Sequence, residues 1–179
     1  MPHILFVAPK LFENTLRYVD AFAGLAGVKL SIVTEDPDTS LHPKLREKLA
    51  AHYRVDSASD SWQLVEAGRR IAKAVGPIDR LTGALEQLQM PMAEARDALG
   101  VEGMSAATAR AFRDKDHMKQ RLRSKGVPVA KSALVSSTKE LERFVGEVGF
   151  PIILKPQAGV GARSTWRIEG RDDLVALAK

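Results

Sequence analysis

The sequence contains no cysteine. That excludes a disulfide scaffold, a thiolate metal site and a cysteine nucleophile, and it fits a reducing compartment, so the cytoplasm is the expected location. Aromatic residues make up only 6%, and no apolar run approaches the ~20 residues of a membrane span. The opening MPHILFVAP carries neither a basic leader nor a small-residue cleavage site, which argues against secretion and against a membrane partner. The four histidines, His3, His42, His52 and His117, show no metal-ligand spacing. GxSxG and GxxxxGK[ST] are missing as well, which removes the serine-hydrolase elbow and the P-loop.

What remains is an ordinary globular composition, 45% hydrophobic and 27% charged, in 179 residues. That is room for one domain or two small ones. The net charge of +5 is unevenly spread. Between Arg110 and Lys131, eight basic residues (Arg110, Arg113, Lys115, Lys119, Arg121, Arg123, Lys125, Lys131) face two acidic ones (Asp114, Asp116), a net of +6, so the rest of the chain is nearly neutral. Such a field attracts polyanions: nucleic acid, anionic lipid or a nucleotide triphosphate.

The first hundred residues read as a small doubly wound α/β sheet. An apolar run from His3 to Ala8 precedes Leu11, Leu16, Val19 and Phe22 at helical spacing, and Val28 to Val33 forms the next strand. Glu35 to Ser40 then carries loop chemistry at the carboxyl end of that strand, either a ligand-facing loop or a solvated turn. A helix after Pro43, a short extended piece at Tyr53 to Val55 and a helix from Ser61 to Val75, ended by Gly76-Pro77, make further βα units. Ile78 to Leu85 predicts a weak fourth strand, and Pro91 predicts the opening of a helix that stops at Leu99-Gly100. From Ser105 the pattern turns to helices, Ser105 to Phe112 and Asp114 to Lys125. Val129 to Val135 predicts a strand, Ser137 or Thr138 caps another helix, and two strand-like runs, Phe150 to Lys155 and Ser164 to Ile168, flank a glycine-containing loop before a helix from Arg171.

That loop, Gln157-Ala158-Gly159-Val160-Gly161-Ala162-Arg163, lies between two strands and not between a strand and a helix, so it is no dinucleotide fingerprint. Glycines in a strand-loop-strand cover let backbone N–H groups converge on phosphate oxygens. Period-2 alternation sets Lys155 on the face of Ile153, opposite Ile152 and Leu154. An ordinary hairpin with a solvated lysine fits the spacing equally well. Lys115, at the start of the basic helix, is a cation near the positive end of a helix dipole, misplaced unless an anion arrives; a solvated basic face is the alternative. Met118 and Leu122, one turn apart, read as packing positions.

Arg113-Asp114-Lys115, Lys125-Gly126-Val127-Pro128-Val129 and Gly149-Phe150-Pro151-Ile152-Ile153-Leu154-Lys155-Pro156, with Gly159 and Gly161, together resemble the ATP-grasp superfamily of carboxylate-amine ligases, including biotin carboxylase-like proteins. Residues 1–103 are similar to the Rossmann-like pre-ATP-grasp domain, with Glu86 and Leu99 to Ser105 resembling its exit. Residues 104–179 are similar to a helical linker and the first, incomplete part of the ATP-grasp fold. The resemblance implies an ATP- and Mg2+-dependent ligase that joins a small-molecule carboxylate to an amine or thiol through an acyl-phosphate. It implies that Lys115, Lys155, Gly159, Val160, Gly161, Ala162 and Arg163 contact ATP, the last five as a lid. Ala162 stands where many members carry serine and Ala158 where an acidic residue is common, which implies fewer lid contacts. The family's metal ligands fall in its later half, so the chain is expected to be an N-terminal fragment, inert by itself. The rival readings are a non-catalytic nucleotide-binding or interaction module and, less favoured, a nucleic-acid-binding module. The latter has only Phe112 for base stacking near the charge.

Overall fold

A computed structural model describes residues 1–159 and 164–177, and the chain divides into two compact units, Met1–Ala109 and Arg110–Lys179. In the first, β1 (His3–Val7), β2 (Lys29–Thr34), β3 (Ala51–Arg54) and β4 (Arg80–Thr82) form one parallel sheet in the order β3-β2-β1-β4. The register sets Phe6 beside Ile32 and Leu5 beside both Ser31 and Leu81. Because successive side chains in a strand point to opposite faces, the near-continuous apolar runs of β1 and β2 feed two cores. Phe6, Ala8, Leu30 and Ile32 join Val19 of α1 (Glu13–Ala23) and Leu45 of α2 (Pro43–Arg46) on one face. Leu5, Val7, Val33 and Leu81 join Leu64 and Ile71 of α3 (Ser61–Val75) and Met92 and Ala95 of α4 (Gln89–Leu99) on the other.

The helix bounds follow local chemistry. Asp60 caps α3, its carboxylate accepting from the Trp62 N–H at 2.9 Å. Gly100, in left-handed conformation, ends α4. That helix starts at Gln89, directly after a 3-10 turn at Glu86–Leu88, so Pro91 lies inside its first turn and does not open it. The missing Pro N–H is still one of the first-turn donors that need no intrahelical partner, which makes the earlier start tolerable.

Two buried polar devices tie the sheet together. His3 lies 2.8 Å from the Ser31 hydroxyl through Nε2 and 3.1 Å from the Gly76 carbonyl through Nδ1. Arg96, 9% exposed, donates to the Leu81 and Met104 carbonyls at 2.9 and 3.1 Å, joining the end of β4 to the segment leaving α4. Gly103 lies so close that a Cβ there would meet Arg96 Cδ at 2.8 Å. At the carboxyl edge of the sheet, Asp36 accepts from the Leu11 N–H at 2.8 Å and from Lys10 Nζ at 3.2 Å, while Glu35 accepts from the Ala58 N–H at 3.0 Å. The acidic loop after β2 is therefore a brace among neighbouring loops. Its Asp36 carboxyl is held below the usual range chiefly by the Leu11 N–H.

In the second unit α5 (Ala106–Arg113) leads in from the first, followed by α6 (Lys115–Ser124), α7 (Thr138–Val148), the antiparallel pair β5 (Ile152–Leu154) and β6 (Trp166–Ile168), and α8 (Arg171–Leu177). Ser137 caps α7 by accepting from the Glu140 N–H, and Glu140 reaches back to the Ser136 N–H at 2.7 Å, a variant of the capping box. The strand predicted at Val129 to Val135 is not formed. Among the described residues this segment has no ladder partner, and Arg123 of α6 instead donates to the Ala130 carbonyl and, at 2.6 Å, to the Ser132 hydroxyl. No helix among the described residues is long and apolar enough to cross a membrane.

His52 supplies a pH test of the first unit. It is half-buried on β3, its Nε2 is buried without a hydrogen-bond partner, and burial holds its pKa below that of a free imidazole despite Asp38 nearby. Because the folded state resists protonation, stability is full above the unfolded value of about 6.5 and is lost as pH falls below it. In urea titrations followed by hydrogen exchange of β2 and β3 amides, His52→Leu should remove part of the stability loss seen between pH 7.5 and pH 5. An identical pH dependence in the variant would assign that loss to other groups.

Candidate functional site

The site is built where α6 begins. Asp114 is in extended conformation and caps the helix, Oδ1 accepting from the Asp116 and His117 N–H groups, each at 3.0 Å. Its second oxygen accepts from Gln157 Nε2 at 2.7 Å, so the capping carboxylate also grips the turn that follows β5. The grip is repeated by its neighbours. The Lys115 N–H donates to the Gln157 carbonyl at 3.2 Å, and the Arg113 guanidinium donates to the Ala158 carbonyl at 3.3 Å. Three consecutive residues, 113 to 115, thus hold three consecutive residues, 157 to 159. The His117 N–H and the Gln157 amide, in that order, hold the Asp114 carboxyl below the usual carboxylate range.

The Lys115 ammonium reaches the same turn, donating to the Gln157 and Gly159 carbonyls, both at 3.4 Å. These contacts lie beyond the favoured range for such bonds and go to neutral acceptors, so an anionic oxygen offers a stronger partner. The anticipated clash with the helix dipole is thereby relieved by carbonyl oxygens. Two residues before the turn, Lys155 follows β5 on the face of Ile153, which is 55% exposed, opposite Ile152 at 6%. Among the described residues Lys155 forms no hydrogen bond and no ion pair, and its charge is felt by Lys119 of α6.

Of the sequence candidates, Lys115 and Gly159 are in direct contact, and Lys155 lies beside the same helix. Val160, Gly161, Ala162 and Arg163 lie outside the described residues. Sequence reasoning missed Gln157, whose amide completes the clamp, and Lys119, although its position one turn beyond Lys115 was available as a signal. Met118 and Leu122, read as packing positions, are only half-buried and belong to neither core cluster. Among the described residues no group of three or more histidine, aspartate or glutamate side chains is placed to hold a metal ion.

Residues 114–179 match the family model for the ATP binding domain of the carbamoyl-phosphate synthase L chain. The L-arginine-specific L-amino acid ligase of Bacillus subtilis is 30% identical over 146 residues, which cover 81% of this chain and 34% of that enzyme. The matched segment, residues 114–179, belongs to the ATP-grasp superfamily. The likeness of fold extends along the whole chain. The crystal structure of an L-amino acid ligase from Bacillus licheniformis superposes with a TM-score of 0.75 at 16% identity, covering 99% of this chain and 41% of that one. The biotin carboxylase domain of a Hydrogenobacter thermophilus 2-oxoglutarate carboxylase, solved with MgADP, ADP and bicarbonate, superposes at 0.70 with 19% identity, covering 98% and 39%. The chain spans about a third of the length of the curated Bacillus subtilis ligase.

Asp114→Ala removes a helix cap and the Gln157 anchor together. A lost N-cap alone costs about 1 kcal/mol. Amide exchange in the first turn of α6 and at residues 157 to 159 should accelerate together in this variant, whereas Asp116→Ala should speed α6 alone. If 157 to 159 keep wild-type exchange in Asp114→Ala, the carboxylate does not hold the turn.

Proposed function

We propose that this ATP-grasp chain supplies the phosphate-binding segment of an ATP-dependent carboxylate-amine ligase whose carboxylate is an amino acid. One observation carries the reading: residues 113 to 115 clasp residues 157 to 159, which brings two lysines forty residues apart to the junction of one helix and one strand. The MgADP complex of the Hydrogenobacter thermophilus relative supports a nucleotide as the ligand, and the name of the Bacillus subtilis relative supports an amino acid as the carboxylate substrate.

In this reaction a carboxylate oxygen of the substrate attacks the γ-phosphorus of ATP. The bond from the β-bridging oxygen to that phosphorus breaks and ADP leaves. The acyl-phosphate is then attacked at its carbonyl carbon by an amine, which expels inorganic phosphate, sheds a proton and forms an amide. Lys115 and Lys155 neutralise the phosphate oxygens in this scheme, and Gly159, Val160, Gly161, Ala162 and Arg163 are assigned to the lid. Residues 1–103 serve as the pre-ATP-grasp domain and 104–179 as the linker and beginning of the ATP-grasp domain. The described residues fit a phosphate chain and not Mg2+, since they bring no set of carboxylates together. Ligands for the ion are assigned to other parts of such a ligase, and the reading gives this segment phosphate contacts without turnover.

Calorimetric titration of the chain with ATP and Mg2+ tests the reading. A charge-assisted hydrogen bond contributes roughly 1.5–3 kcal/mol, so Lys115→Ala and Lys155→Ala should each weaken ATP by about 10-fold or more. Wild-type affinity in both variants, or salt-sensitive retention on DNA that ATP does not compete, would overturn it.

A further inference from the structure

The α6 helix places Lys115, Lys119 and Arg123 at successive i, i+4 positions, a cationic stripe about 12 Å long at 1.5 Å per residue. The middle member is the one without a role. Lys119 is half-buried, and among the described residues it makes no hydrogen bond and no ion pair. Arg123 is occupied by Ala130 and Ser132, and Lys115 by the Gln157 turn. The acids that could answer Lys119 are engaged elsewhere. Asp114 caps the helix and holds Gln157, while Asp116, three residues before Lys119, accepts from Gln120 Nε2 at 2.6 Å and only partly offsets the surrounding positive charge. Burial first, then the charges of Lys155 and Arg123, hold the Lys119 ammonium below the ordinary lysine pKa.

A half-buried cation one helical turn from Arg123, within the field of Lys155 and without a hydrogen-bond or ion-pair partner among the described residues, is left with repulsion that no neighbour cancels. Arrangements of this kind collect where a ligand supplies the missing charge. We infer that Lys119 is a third phosphate-contacting cation, acting with Lys155 across the α6–β5 junction, and that it gives the site a preference for triphosphate over diphosphate chains. The inference rests on the ligase reading above for the nucleotide, but its chemistry, three ammonium groups on one polyphosphate, is separable from it.

The test titrates the full chain with ATP, ADP and inorganic tripolyphosphate, in wild type, Lys119→Gln, Lys119→Arg, Lys115→Ala and the distant control Lys139→Gln on α7. Lys119→Gln should weaken ATP and tripolyphosphate about 10-fold and ADP about 3-fold, Lys119→Arg should restore binding to within about 2-fold, and Lys139→Gln should change nothing. A merely structural lysine would not also give the second result expected here: unliganded Lys119→Gln melts at or above the wild-type temperature, because like-charge repulsion is relieved. If Lys115→Ala loses ATP while Lys119→Gln binds all three ligands as wild type does, the third cation is refuted and the ligase reading stands. If the wild type binds tripolyphosphate but neither nucleotide, and Lys119→Gln loses it, the cation site stands and the nucleotide falls. Binding of none of the three by wild type overturns both, and a Lys119→Gln variant that melts lower and binds less overturns the phosphate role in favour of packing.

Discussion

The Asp114 carboxylate is the constraint on which the second unit depends. It does two jobs with two oxygens, ending the unpaired N–H groups of α6 with one and taking the Gln157 amide with the other. A cap alone would leave the strand turn free to slide along the helix, and an amide contact alone would leave the helix start frayed. Joined in one side chain, they fix the register between a row of cations spaced by the α-helical turn and a strand that ends in another cation. The surrounding contacts, Arg113 to Ala158 and Lys115 to Gln157 and Gly159, are individually weak, exposed or long, and they reinforce a position already set by the carboxylate.

Concentrating positive charge works against folding, and the two units answer it differently. In the first, polar groups that enter the core are matched: His3 meets Ser31 and a main-chain carbonyl, and Arg96 meets two carbonyls, its desolvation lowering its pKa against the nearby Asp97 charge. Those contacts hold loops and strands in place. In the second, Lys119 and Lys155 are left without partners among the described residues while the nearby acids serve backbone and amide groups. In the proposed reading, these unmatched ammonium groups are the ones that receive the phosphate charge.

Much of this was legible in the sequence because it is local. The bounds of α3 follow from a capping aspartate before Ser61 and Gly76-Pro77 after Val75, and the parallel sheet follows from short apolar runs separated by helical spacing. The neighbourhood of the two lysines was legible because the antiparallel β5–β6 pair and the α6 cap each have local signatures. Segment 129–135 was misread for the complementary reason. Its residues suit a strand, but a strand needs a neighbour, and the choice was made by Arg123, which is drawn to the Ala130 carbonyl from a helix earlier in the chain. Burial of Arg96 was equally hidden, since an arginine in the last turn of a helix reads as a solvated complement to the dipole until the strand that accepts from it is placed.

The two units differ in how much apolar surface they bury. Apart from Ala109 at the junction, the buried apolar residues of the described chain belong to the doubly wound sheet and its helices, and only Ile152 and Ile168, paired across β5 and β6, are buried beyond it. A two-stranded hairpin is marginal by itself, so its geometry is set by the polar grip of α6 more than by apolar burial. Such a grip can exchange carbonyl acceptors for phosphate oxygens at small cost, because the bonds given up are long and neutral and those gained are charged. A tightly packed core would hold the lysines more firmly, but it would also remove the spare bonding capacity that an incoming anion uses.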